Sequence, residues 1–105
     1  MTRLRLCSLK ELSDEAASRF EVGGRTIAAA LIDERVYAID DVCSHADYSL
    51  SEGELYASEL ELECPKHGST FSLVDGTPQC LPATAPVVVY AADIDGDDVY
   101  VEIPE

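Results

Sequence analysis

Leu60-Glu61-Leu62-Glu63-Cys64-Pro65-Lys66-His67-Gly68-Ser69 is the stretch from which the rest of the chain can be read. Its first half alternates apolar and acidic residues with period two. That is the pattern of a strand with one buried face, so Leu60, Leu62 and Cys64 are expected to point inward. Its second half places a thiol and an imidazole, Cys64 and His67, on one short loop. A similar pair stands upstream in Cys43-Ser44-His45, with eighteen residues between His45 and Cys64. The chain has only two His, and each follows closely on a Cys. Two Cys and two His on two loops are candidate metal ligands. Tetrahedral zinc is one possible occupant, but zinc modules repeat one ligand type within each knuckle. Here each loop supplies one Cys and one His. The other occupant is an iron–sulfur centre in which two His replace two Cys on one iron.

Working outward, Gly, Pro and Asp punctuate the chain about every ten residues, which is a β pattern. Strands are expected over Arg3–Cys7, Arg19–Val22, Arg25–Ile32, Arg35–Ile39, Thr70–Leu73, Val87–Ile94 and Asp98–Ile103, besides Leu60–Cys64. Gly23-Gly24 is a two-residue hairpin signal, because both positions tolerate positive φ. Asp33-Glu34 and Asp95-Gly96-Asp97 supply further turns. In the last strand Val99, Val101 and Ile103 share one face. Leu9–Ala17 reads as an irregular connector, with a short helical turn as the alternative. Asp41–Leu55 and Gln79–Pro86 have no period, and long irregular segments in a small β domain usually carry function.

The chain has 105 residues, enough for one domain over residues 1–105. With 47% apolar residues it is a folding composition. Seven Lys+Arg against twenty-one Asp+Glu give 7 − 21 = −14, with a pI of about 4.2. Such a charge repels phosphates and argues against nucleic acid; it favours partners with basic docking faces. The longest apolar runs, Ile27–Ile32 and Val87–Ala92, have six residues each, against the roughly 20 needed to span a membrane. The N-terminus lacks the apolar core of a signal peptide. The expectation is a cytoplasmic, reducing setting, where Cys means metal or catalysis more often than disulfide. No Ser/His/Asp arrangement, phosphate loop or nucleotide fingerprint is present, so the chain is not expected to be an enzyme.

Cys43-Ser44-His45 and Cys64-Pro65-Lys66-His67-Gly68-Ser69 resemble the Rieske [2Fe–2S] motif, Cys-x-His followed by Cys-x-x-His. The interval between the pairs is slightly longer than is usual in that family. The resemblance covers nearly the whole chain. It implies an all-β fold, an antiparallel β sandwich with a smaller cluster-binding subdomain over roughly 41–81. It also implies one [2Fe–2S] cluster, with Cys43 and Cys64 on the buried iron and His45 and His67 on the outer iron. Pro82–Pro86 matches the family's proline loop over the cluster.

Departures from the pattern point to a subtype. Rieske proteins of cytochrome bc complexes carry an extra, disulfide-linked Cys in each loop; Tyr48 and Lys66 stand in those places. Their Tyr that donates a hydrogen bond to a cluster Cys is Phe71 here, although Ser69 keeps one possible donor. Fewer hydrogen bonds to sulfur lower the potential, to on the order of −150 mV. The chain therefore resembles low-potential Rieske ferredoxins: monomeric one-electron carriers between a flavoprotein ferredoxin reductase and a terminal ring-hydroxylating oxygenase in aromatic-compound catabolism. Alternatives are the Rieske-like small subunit of an assimilatory nitrite reductase, or a Rieske protein of another redox or cluster-assembly pathway. Cys7 and Cys80 read as free structural thiols.

Overall fold

The structure is a computed structural model, and it describes residues 2–42, 49–65, 68–79 and 85–103. Its centre is the apolar run that starts at Ile27. That run forms β3 (Arg25–Ile32), flanked by β2 (Ala16–Val22) and β4 (Arg35–Asp40), with β8 (Val89–Tyr90) on the far side of β4. All the pairings are antiparallel. A run without alternation is explained by burial on both faces. Ala28, Ala30 and Ile32 face one core, while Ile27 and Ala29 face another. The three consecutive alanines leave both flanking layers room to approach closely.

One covering layer is the sheet of β1 (Thr2–Ser8), β10 (Asp98–Ile103) and β9 (Ala92–Asp95), in the order β1-β10-β9. Val99, Val101 and Ile103 face inward onto Ile27, Ala29, Val36 and Ala38, as their alternation predicts. The ladder slips between Arg5 and Cys7. This bulge lets Leu6 and Cys7, adjacent in sequence, both be buried. On the outer face Arg3 stacks over the Tyr100 ring at 3.9 Å and pairs with Asp93 at 2.7 Å, and Arg5 pairs with Asp98 at 2.9 Å. The other covering layer is a small sheet in the order β5 (Leu55–Tyr56), β6 (Glu61–Glu63), β7 (Thr70–Ser72). Leu62, Phe71, Leu73 and Cys64 pack from it against the second face of β3.

The all-β antiparallel expectation holds, with several corrections in detail. The expected strand Val87–Ile94 is two strands in two sheets. The chain leaves the central sheet after Tyr90 and enters the outer one at Ala92, with the Glu102 amide donating to the Ala91 carbonyl (2.9 Å). β2 begins at Ala16 rather than Arg19, because Ala16 and Ala17 pair with Leu31 and Ala30. The connector after β1 opens with one 3-10 turn, Leu9–Glu11. Leu60 is not in β6: it sits at φ +55 in the turn before it, half-buried. Gly23-Gly24 and Asp33-Glu34 are hairpin turns, all four residues at positive φ.

Gly76 and Gly24 share φ +77 but not their surroundings. A Cβ on Gly76 would sit 2.1 Å from the Val87 carbonyl oxygen, whereas one on Gly24 would meet nothing within 4 Å. Gly24→Ala should cost only the left-handed backbone penalty, about 1–2 kcal/mol. Gly76→Ala must also push β8's approach off the small sheet, so its loss is expected to exceed that of Gly24→Ala clearly in denaturant unfolding. Equal losses would contradict this account of the contact.

Candidate functional site

Of the four expected ligands, Cys64 is described; Cys43, His45 and His67 lie outside the described residues, as do Asp47, Tyr48, Lys66, Cys80 and Pro82. What the structure gives is Cys64 and the stems from which segments 43–48, 66–67 and 80–84 depart and return.

Cys64 continues the alternation of β6 one step past the strand, and so its thiol turns inward. It is fully buried among Leu62, Phe71 and Leu50, and its sulfur is not in a disulfide. Its amide donates to the Ser69 carbonyl (2.7 Å), and its own carbonyl accepts from the Gly68 amide (3.1 Å). Those two bonds close a tight turn over 64–69 at the end of the β6–β7 hairpin. Pro65 and Gly68, inside the turn, are exposed, while Ser69 is buried.

The first stem follows β4. Val42 and Ser49 form an isolated antiparallel bridge, and the Leu50 amide donates to the Asp41 carbonyl (2.6 Å). The chain then makes a 3-10 turn, Leu50–Glu52, which drops Leu50 into the core beside Cys64. Gly53 follows, with its α-carbon pressed against β6: an added Cβ would lie 1.6 Å from the Glu63 carbonyl oxygen. The return of the first segment is thus packed against the residue preceding Cys64. The third stem leaves at Gln79, whose amide donates to the Thr70 carbonyl (2.7 Å) at the edge of the Cys64–Ser69 turn. It returns to Val88, whose carbonyl accepts the Asp40 amide (2.8 Å) beside the first stem. Three segments distant in sequence are therefore rooted next to one another.

The segments on either side of 66–67 are one-sided in charge. Residues 49–65 and 68–79 hold no Lys or Arg. Tyr56 donates to Glu63 Oε1 at 2.5 Å. That bond to a carboxylate, reinforced by burial and by the charges of Glu63, Glu54 and Glu59, pushes the phenol up to about 12. A buried thiol rooted among such stems is the kind of soft donor an iron–sulfur group takes, so the described part of the site fits the group that the sequence implies.

A family model described as Rieske [2Fe-2S] domain matches residues 2–91. The chain belongs to this family. Its full-length relatives at 35% identity are named as ferredoxins, and its role is that of one, an electron carrier rather than a catalytic subunit. The 3-phenylpropionate/cinnamic acid dioxygenase ferredoxin subunit of Shigella boydii is 35% identical to it over 105 residues, which is all of this chain and 97% of that one. The ferredoxin of carbazole 1,9a-dioxygenase from Nocardioides aromaticivorans IC177 superposes with a TM-score of 0.91 at 35% identity, over 96% of this chain and 97% of that one. A chain in a complex of reduced oxygenase and oxidized ferredoxin in carbazole 1,9a-dioxygenase superposes at 0.84 with 32% identity, over 94% and 91%. No helix among the described residues is long and apolar enough to cross a membrane.

Within this Rieske chain the sequence left Cys7 as a structural thiol, and the fold gives it that place. It lies in the core between the outer and central sheets, with Phe71 and Cys64 in the other core. Burial, then the nearby Glu11 charge, pushes its thiol from 9.0 up to about 11. The folded state therefore holds this proton more tightly than the unfolded chain does. Its contribution to stability is full below about pH 9 and is lost as the pH climbs towards about 11. Cys7→Ala should flatten that part of the stability–pH curve, and in the native protein Cys7 should resist iodoacetamide at pH values where unfolded chain is alkylated at once. Alkylation of native Cys7 at the unfolded rate would contradict its placement.

Proposed function

We propose that this Rieske ferredoxin carries single electrons from a flavoprotein reductase to a terminal oxygenase that hydroxylates an aromatic ring, in the cytoplasm and as a monomer. It does so with one [2Fe–2S] cluster held by the subdomain over 41–81. Cys43 and Cys64 would hold one iron and His45 and His67 the other. When bound, the cluster supplies a reversible one-electron site with no open coordination position for substrate. The observation that carries this reading is the fully buried, free Cys64 on the closed turn 64–69, in a chain that matches dioxygenase ferredoxins from end to end. The nitrite reductase alternative is weaker, because the full-length relatives at 35% identity are named as dioxygenase ferredoxins.

The protein's own part is to bury one thiol, root the remaining ligands and present a surface that partners can find. Residues 41–81 contain eight Asp+Glu and one Lys, 1 − 8 = −7, half of the chain's net charge. An acidic face around the redox site speeds encounter with a basic partner and is screened by salt, with a Debye length of about 10 Å at 0.1 M.

Stopped-flow reduction by a flavoprotein reductase, followed by reoxidation by an aromatic-ring oxygenase with substrate and O₂, tests the assignment. Wild-type protein should cycle, and its second-order rates should fall as ionic strength rises. Cys64→Ser should neither retain the cluster nor transfer electrons. A protein that holds zinc and no acid-labile sulfide would overturn the reading.

A further inference from the structure

Among the described residues one charged side chain is buried, and it is none of the expected ligands. Asp41 is 1% exposed and sits at the root of segment 43–48, two residues before Cys43. Its backbone is bonded on both sides, the amide donating to the Thr26 carbonyl (3.0 Å) and the carbonyl accepting from the Leu50 amide (2.6 Å). Its side chain accepts from the Ser49 hydroxyl and, at Oδ1, from the Ser51 amide (2.9 Å). The Ser49 and Ser51 hydroxyls are themselves 2.9 Å apart. Arg19 of β2 brings Nε to 3.6 Å from Oδ2, and its guanidinium also reaches Glu21 at 3.5 Å. A carboxylate is costly to bury unless its lone pairs are used and its charge is met. Here both conditions hold, and the groups that meet them come from the far end of the first ligand-bearing segment and from β2.

We infer that Asp41 and Arg19 form a positioning pair for that segment: the carboxylate ties its two ends together, and the two charges bias the redox centre that Cys43 helps to hold. This inference rests on the ligand reading proposed above. A negative charge close to the centre disfavours the added electron and a positive charge favours it. Removing Asp41's charge therefore raises the reduction potential, and removing Arg19's lowers it. The clamp separates from the charge at Ser49, whose hydroxyl bonds the carboxylate but carries no charge.

The test is voltammetry and chelator-driven bleaching of the purified holoprotein in four variants: Asp41→Asn, Arg19→Gln, Ser49→Ala and, as a remote surface control, Arg5→Gln. Asp41→Asn should shift the potential upward and Arg19→Gln downward. Ser49→Ala should leave the potential in place but bleach about tenfold faster, the loss of one hydrogen bond to a charged group. Arg5→Gln should change neither by a comparable amount. Shifts of the same sign in Asp41→Asn and Arg19→Gln, or none, would overturn the charge role, since damage to the fold alone has no reason to reverse sign. Wild-type bleaching in Ser49→Ala would overturn the clamp. Should Asp41→Asn fail to fold, Arg19→Gln and Ser49→Ala carry the test. A wild-type protein without iron and sulfide would overturn the ligand reading and this inference together; a normal cluster with unmoved potentials would overturn this inference alone.

Discussion

The structure depends on burying β3 from both sides. A strand covered on one face can hold a single core, but Arg25–Ile32 holds two, one against the β1-β10-β9 sheet and one against the small sheet. The small sheet is short, with strands of two or three residues, and such a sheet is not stable alone in water. It is stable here because Leu62, Phe71 and Leu73 reach onto Ala28, Ala30 and Ile32, whose small or branched side chains let the layers close. The small sheet and the stems around it can therefore be rich in turns and poor in core of their own.

The same constraint explains how a site with so little apolar content is positioned. Each stem is fixed by backbone hydrogen bonds, Leu50 to Asp41, Cys64 to Ser69, Gln79 to Thr70 and Asp40 to Val88, with Leu50, Cys64 and Asp41 buried beside them. Gly53 and Gly76 allow the backbones to touch where a methyl group would separate them. On the ligand assignment proposed above, the cluster would join the two ligand-bearing segments, and its binding would be coupled to their folding.

Much of this was legible in the sequence, and for physical reasons. The alternation in Leu60–Cys64 put Leu62 and Cys64 on the buried face, and the Gly23-Gly24 turn and the Val99/Val101/Ile103 face followed from strand periodicity and turn chemistry. The single strand expected over Val87–Ile94 was wrong because a continuous apolar run cannot reveal the point at which a chain changes sheets. β5 and the 3-10 turn Leu50–Glu52 were hidden in a stretch without period, since two or three residues are too few to show one. Asp41 was missed for another reason. An acid ahead of a loop in so acidic a chain reads as solvated, and only tertiary structure shows it buried against Arg19, Ser49 and Ser51. The one local hint was Ser49-x-Ser51, two hydroxyl residues at the far end of the same segment.

The central claim is that one thiol pair and one imidazole pair hold a single two-iron centre. Electron–nuclear double resonance on the reduced protein, grown with ¹⁵N-histidine as its sole labelled residue, addresses it most directly. The chain has only His45 and His67 to label. The account predicts two distinct strongly coupled ¹⁵N nuclei in the wild type and one in His67→Cys, if that variant keeps a cluster. A paramagnetic centre without ¹⁵N coupling would contradict it.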